Sequence, residues 1–133
     1  MLPRSRLMAF VATTDAERAK GFYEHVLGLT LVEDGPFALV FDANGTELRI
    51  QKVEAVLVAS YTVLGWKVDS ISAEVLELGT KGVTFERYPG LDQDQLGIWR
   101  SPDGDRVAWF RDPDGHVLSL TEHLKRQQPP TGA

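Results

Sequence analysis

The chain has 133 residues, 43% of them hydrophobic and 25% charged, which is typical of one globular domain, and its formal net charge of −5 argues against nucleic-acid binding. It has no cysteine, which excludes disulfides and thiolate-bound zinc, and no apolar run approaching the ~20 residues that span a bilayer. We therefore expect a cytoplasmic protein without a membrane partner, and the basic start, which no apolar stretch follows, predicts no secretory signal.

The first half of the chain predicts a strand, a helix and then three strands. The apolar run at 7–12 predicts the first strand, and Asp15 can then cap a helix by accepting backbone N–H bonds. Gly28 ends that helix. Its apolar face consists of Ala19, Phe22, Tyr23, Val26 and Leu27. The strands that follow are predicted at 29–34, 37–42 and 46–52, with a hairpin turn at Asn44-Gly45.

The second half predicts the same order of elements. A strand at 62–68 precedes a helix capped by Asp69 or Ser70, and Gly82 ends the helix. The apolar face of this helix consists of Val75, Leu76 and Leu78. Strands are predicted at 83–88, 96–100, 106–111 and 117–122, separated by Pro-Asp-Gly turns at 101–104 and 112–115.

The two halves are related by a degenerate internal repeat. Residues 69–84 align with residues 15–30, and the alignment pairs the two helix-ending glycines as well as Ala19 with Ala73. Each half thus has a strand, then a helix, then a run of strands. This repeated order predicts an α+β fold with mixed or antiparallel sheets, each covered by one helix.

Three stretches resemble motifs of the vicinal oxygen chelate superfamily, the group of glyoxalases, bleomycin-resistance proteins and extradiol dioxygenases. They are FYEHVLGL at 22–29, KGV at 81–83 and AWFRDPDGHVLSL at 108–120, and the resemblance covers residues 6–122. It implies one domain, 1–133, of two βαβββ modules, at about 6–53 and 61–123, with a loose tail at 124–133. The modules would form a curled mixed sheet around a cleft, with one helix per module packed outside, and the chain would form a homodimer.

The resemblance also implies where a metal would be held, with one ligand on the first and one on the last strand of each module. These positions fall on Met8, Val63 and Ser119, and on either Glu47 or Arg49. Divalent metals bind imidazole and carboxylate, so at most one of the four positions carries a suitable donor. The histidines lie elsewhere, at positions 25, 116 and 123. We therefore predict no metal and no cofactor, which counts against glyoxalase and dioxygenase chemistry.

Strand alternation predicts the walls of the cleft. The apolar lining consists of Met8, Phe10 and Val63, and the polar lining of Glu47, Arg49, Gln51, Lys67, Ser119 and Thr121. Trp99 follows a polar loop at 90–95, a candidate flap, and is the best aromatic candidate for the cleft, whereas Trp66 is predicted to lie in the core. We expect a small organic ligand whose carboxylate or enolate meets Arg49 or Lys67.

Three alternatives stay open at this point. A metal-dependent lyase or dioxygenase would need ligands displaced to other positions. A metal-free isomerase could use Glu47 as the catalytic base and Arg49 or Lys67 to stabilise an enolate. Glu47 and Arg49 could also merely pair with each other on an exposed strand, at little net gain in stability.

Overall fold

In a computed structural model, which describes residues 1–124, the first module forms a four-stranded mixed sheet covered by a helix. The strands lie in the order β1-β4-β3-β2, with β1 parallel to β4 and the other pairs antiparallel. The elements are β1 (Met8–Thr13), α1 (Ala16–Gly21), a π-helical turn (Phe22–Val26), β2 (Thr30–Asp34), β3 (Ala38–Ala43) and β4 (Thr46–Lys52).

The second module repeats this arrangement, in the strand order β5-β8-β7-β6, with β5 parallel to β8. Its elements are β5 (Thr62–Lys67), α2 (Ile71–Thr80), β6 (Trp99–Arg100), β7 (Arg106–Arg111) and β8 (Val117–Glu122). The predicted α+β class and its two modules are thus confirmed. Neither helix is long and apolar enough to cross a membrane, nor is any other in residues 1–124. The predicted tail lies outside the described residues except for Leu124, whose N–H donates to Asp105.

The predicted strand at 83–88 is wrong, and the one at 96–100 shrinks to two residues. The segment makes one backbone bond to the sheet, from the N–H of Glu86 to the carbonyl of Trp109. The side-chain amide of Gln93 forms hydrogen bonds with neighbouring backbone groups of this segment instead. Its oxygen accepts from the N–H of Tyr88, and its nitrogen donates to the carbonyls of Glu86 and Gly97. A side chain thus replaces the strand ladder, and the same bonds hold the loop that was a candidate flap.

Both helices begin at the predicted caps but depart from the prediction further along. Asp15 accepts from the N–H of Arg18, and Ser70, not Asp69, caps α2. The first helix changes to π geometry at Phe22, and Gly28 then takes a positive φ of 76°. In α2, Leu76 is 58% exposed and not part of the buried face, which consists of Ile71, Val75 and Leu78. Leu76 is turned roughly 100° around the helix from Val75.

Two hydrophobic cores lie between the helices and the sheets, and they are joined. Phe22, Leu27 and Leu64 pack against both. The first core contains Val11, Ala19, Tyr23, Leu39, Phe41, Leu48 and Ile50. The second contains Ile71, Val75, Leu78, Ile98, Ala108, Phe110, Leu118 and Leu120. The π-helical turn, through Phe22, therefore contacts the cores of both modules.

Polar bonds from the turn at 112–116 to the first module reinforce this junction, which we call the interlock. The buried hydroxyl of Tyr23 donates to Oδ2 of Asp112 at 2.7 Å, while Oδ1 of Asp112 accepts the N–H groups of Asp114 and His116. Nε2 of His116 donates to the carbonyl of Ala12 at 2.7 Å. Burial raises the pKa of Asp112, against the lowering effect of the Tyr23 hydroxyl. Burial, with the nearby charge of Asp112, also raises the pKa of Tyr23.

Asp114 supplies the second half of the interlock. Its carboxylate accepts from the hydroxyl of Thr13 at 2.5 Å and from the N–H and hydroxyl of Thr14 at 3.0 Å each. Burial acts to raise the pKa of Asp114, but these hydrogen bonds outweigh it and hold the pKa below the usual value of 3.8. The turn therefore does more than reverse the chain, because it binds the junction of β1 and α1.

Tyr23→Phe tests the buried half of the interlock. It leaves Asp112 without its hydroxyl donor, so we expect the free energy of unfolding to fall by about 1–3 kcal/mol. Urea denaturation followed by circular dichroism measures this. The control is Tyr61→Phe, which alters a side chain of a residue that is 71% exposed and should change stability by less than about 0.5 kcal/mol. Equal losses in both variants would contradict the assignment.

Asp114→Asn tests the second half through pH. Because the folded pKa of Asp114 lies below 3.8, its contribution to stability is present above that pH and is lost as pH falls through the folded pKa. We expect the difference in unfolding free energy between wild type and variant to shrink on acidification. Asp92→Asn is the control, because Asp92 makes no hydrogen bond within residues 1–124. Parallel pH curves for wild type and Asp114→Asn would count against the interlock.

Candidate ligand-binding cleft

The first sheet turns one face to its helix and the opposite face, here called the cleft face, away from it. Register places Met8 opposite Glu47, Phe10 opposite Arg49, and Ala12 opposite Gln51. The intervening residues of these strands, such as Leu48 and Ile50, are buried in the core. Met8 and Phe10 are 42% and 51% exposed. The structure therefore brings together all five candidate residues of the first module on this face.

Strand β3 extends the cleft face with two residues that sequence reasoning missed. Val40 lies opposite Arg49, and Asp42 opposite Glu47. Together with Met8 and Glu47 they border a cavity of about 560 Å³, which is also lined by Arg6, Leu7, Thr30, Val32, Phe41 and Gly45. Pairing β3 with β4 across the Asn44-Gly45 turn would have identified both residues from the sequence.

Glu47 and Arg49, the candidate catalytic pair, contact each other. Arg49 Nη1 lies 3.6 Å from Glu47 Oε2, and their side chains are 34% and 42% exposed. A pair of this kind at a partly exposed strand contributes at most about 1 kcal/mol to stability. The arrangement matches the alternative in which the two residues neutralise one another, and Arg49 is thereby less available for an anionic ligand.

The second sheet has a cleft face of the same kind. Gly65 lies opposite Ser119, which lies opposite Trp109, and Lys67 lies opposite Thr121. Ser119 is 7% exposed, and a Cβ atom at position 65 would lie 2.9 Å from its hydroxyl oxygen, so glycine leaves the space that the serine occupies. Candidate Val63 lies at an irregularity in the pairing of β5 with β8, with no partner in the register, and is 39% exposed.

Three aromatic residues form a patch on this face: Tyr88, Trp99 and Trp109. The rings of Trp99 and Trp109 are 6.0 Å apart at 35°, and Tyr88 meets Trp109 edge-on at 5.4 Å. Each of the three is half-buried. Sequence reasoning selected Trp99 but missed Trp109 and Tyr88. For Trp109 alternation was the available signal, since Ala108 and Phe110 on either side are wholly buried. Trp66 packs against the second core, as predicted.

The two cleft faces adjoin. Strand β1 contacts β5, and the interlock ties the end of β1 to the turn that leads into β8, the neighbour of β5. The two sheets do not close into a barrel. A molecule lying along this seam would meet Met8 and Phe10 from one module and Gly65, Ser119 and the aromatic patch from the other.

The donor set at the four implied ligand positions does not fit a divalent metal. Met8, Val63 and Ser119 offer a thioether, a hydrocarbon and a hydroxyl, and Glu47 is paired with Arg49. Within residues 1–124 no three His, Cys, Asp or Glu side chains come together as a metal site would require. The three histidines contact other groups. His25 lies beside Glu24, His116 donates to the carbonyl of Ala12, and His123 lies beside Asp105.

Comparisons with known proteins agree with the fold. A family model described as Glyoxalase/Bleomycin resistance protein/Dioxygenase superfamily matches residues 6–120. A superfamily member from Sphaerobacter thermophilus has a similar solved structure, with a TM-score of 0.72, 23% identity, and coverage of 92% of this chain and 100% of that one.

Two further solved structures are similar to this chain. One is lactoylglutathione lyase from Agrobacterium tumefaciens, with a TM-score of 0.69 and 18% sequence identity. The match covers 90% of this chain and 94% of the lyase chain. The other is TioX from Micromonospora sp. ML1, with a TM-score of 0.68 and 21% sequence identity. The match covers 90% of this chain and 99% of the TioX chain. At these identities the likeness shows the fold and leaves the activity to the side chains.

The donor set predicts that the protein does not retain a transition metal. Protein purified without a tag, incubated with Zn²⁺, Ni²⁺ or Co²⁺ and then dialysed, should hold far less than one equivalent by elemental analysis. His123→Ala serves as the control, because it removes an exposed imidazole that can bind metal adventitiously. One tightly held equivalent that survives this substitution would overturn the prediction.

Proposed function

The chain belongs to the glyoxalase/bleomycin resistance protein/dioxygenase superfamily, and we propose that it is a metal-free member that binds a small organic molecule in its cleft. The observation that carries this proposal is the aromatic patch, which shares a sheet face with Ser119. Ser119 occupies a position where the family resemblance implies a metal ligand. A surface for stacking thus lies beside the place where a metal-binding relative would hold its ion.

The chemistry of the patch favours a flat ligand. Aromatic rings contribute large apolar area together with a preference for stacked or edge-on partners, worth about 0.5–1.5 kcal/mol per pair beyond burial. Trp99 and Trp109 are half-buried and keep part of their surface exposed. The apolar side chains of Met8 and Phe10 lie across the seam, and a lining of this kind with a few polar groups is usual for ligand pockets.

Binding without turnover is the form of the proposal that the side chains favour. An isomerase would need Glu47 as a base, yet its carboxylate lies 3.6 Å from the guanidinium of Arg49, whose positive charge favours the ionised form and makes it a weaker base. A lyase or dioxygenase of the glyoxalase type would need a metal, which the donor set does not suit. We therefore propose no catalytic residue and assign Glu47, Arg49 and Gln51 to the orientation of a ligand on the first sheet.

Location and assembly complete the proposal. The lack of cysteine supports a cytoplasmic location. A homodimer is supported by large apolar side chains that are exposed in the isolated chain, since such surface is commonly covered by a partner. Outside the cavity of the first sheet these include Phe37 at 80% and Leu57 at 98%.

The three indole N–H signals in a proton–nitrogen NMR spectrum test the proposal. With 2-naphthamide, a flat and neutral probe, we expect the signals of Trp99 and Trp109 to move and that of Trp66, in the core, to stay. Trp109→Leu should weaken binding about three- to tenfold, because one stacked pair is lost. Phe37→Leu, outside the cleft, is the matched control and should leave binding unchanged.

Two results would contradict the proposal. One is a spectrum in which no indole signal moves with this probe or with a set of flat aromatic compounds. The other is turnover of a bound compound that Glu47→Gln abolishes, which would establish the isomerase alternative in its place.

A further inference from the structure

Lys67 is a charged residue of the cleft that has no role in stacking a ligand on the aromatic patch. It is the last residue of β5, is exposed, and alternates with Trp66, whose side chain packs into the core. Alternation therefore places Lys67 on the cleft face, on the same side as Gly65. Thr121 lies opposite Lys67, and Val107, the next residue across the sheet, lies opposite Trp99. One row of the sheet thus runs from Lys67 to the aromatic patch.

The ammonium group of Lys67 has no carboxylate partner in the part of the chain that the structure describes. Other lysines do: Lys20 lies 3.5 Å and Lys52 2.7 Å from Asp34. The other charge on this cleft face near the patch, Arg111, is neutralised by Glu86 at 2.5 Å. This face of the second sheet therefore has a local positive charge, although the whole chain is acidic with a net charge of −5.

The floor between Lys67 and Trp109 is lined by small residues. Gly65 and Ser119 lie in the row that contains Trp109, and Thr121 lies beside Lys67. With strands about 4.8 Å apart and residues about 3.3 Å apart along a strand, the Cα atoms of Lys67 and Trp109 are separated by roughly 12 Å. The long, flexible side chain of Lys67 can lean across part of that gap, and the small residues leave room for a bicyclic acid between it and Trp109.

From this arrangement we propose that the ligand is an aromatic carboxylate, whose ring stacks on Trp99 and Trp109 and whose carboxylate meets the ammonium group of Lys67. The proposal rests on the binding function given above and adds the charge of the ligand. The hydroxyl of Thr121, opposite Lys67, is placed to donate to the same carboxylate. A cationic ligand would bring two positive charges together on this face.

Three probes of one shape test the charge: 2-naphthoate, 2-naphthamide and 2-(aminomethyl)naphthalene, titrated by NMR and calorimetry. We expect the acid to bind about tenfold more tightly than the amide, because a charged hydrogen bond is added, and the amine to bind most weakly. Raising the salt concentration should weaken binding of the acid and leave that of the amide unchanged.

Substitutions assign the preference to Lys67. Lys67→Met should remove the advantage of the acid over the amide and leave the affinity for the amide as it was, whereas Lys67→Arg should retain the advantage. Lys81→Met, at an exposed lysine outside the cleft, is the matched control and should change neither affinity. The shift of the Trp109 indole signal by the amide in Lys67→Met reports that the cleft remains folded.

The outcomes separate this inference from the binding proposal. If the acid and the amide bind equally while the indole signals move, the anionic ligand is ruled out and the stacking function stands. If the amine binds best, or if Lys67→Met keeps the preference for the acid, the role of Lys67 is overturned. If none of the three probes moves the signals of Trp99 and Trp109, both proposals fail together.

Discussion

The hydrogen bond between Tyr23 and Asp112 is the constraint on which the rest of the structure depends. A buried carboxylate is costly unless its oxygens are satisfied, and here a tyrosine from the first module and two N–H groups of its own turn satisfy it. Because the donor and the acceptor belong to different modules, the bond forms only when both modules are folded and docked. It therefore couples the two cores and sets β1 beside β5.

The cleft is a consequence of that docking and of strand alternation. In each sheet, one set of alternate residues fills the core between sheet and helix, and the other set faces the cleft, where several side chains stay exposed. Folding requires apolar residues at positions 48 and 50, but it places no such demand on Glu47 and Arg49, which alternate with them along the strand. The cleft faces are thus the part of the molecule where residues can change chemistry without loss of the fold, which explains how one framework hosts different activities.

The four implied ligand positions illustrate this freedom. The backbone positions of a metal site are all present, yet they carry Met8, Val63, Ser119 and a glutamate that is held by an arginine. Ser119 in turn fits because position 65 is glycine. Nearby, Trp109 lies opposite Ser119 and joins Trp99 and Tyr88 in a surface suited to flat molecules. The same framework therefore offers a stacking surface and, in the same sheet, the ammonium group of Lys67, which has no carboxylate partner within residues 1–124.

The sequence by itself determined the α+β class, the repeated module, the cap at Asp15, and the faces on which Met8, Phe10, Glu47 and Arg49 lie. These follow from periodicity and turn chemistry, which act between residues close in the chain. Tertiary structure alone decided that Gln93 would replace a strand ladder at 83–88, that Trp109 and Tyr88 would join Trp99, and that Tyr23 would meet Asp112. Each of these depends on a side chain finding a partner across the fold, and no local pattern encodes which partner it finds.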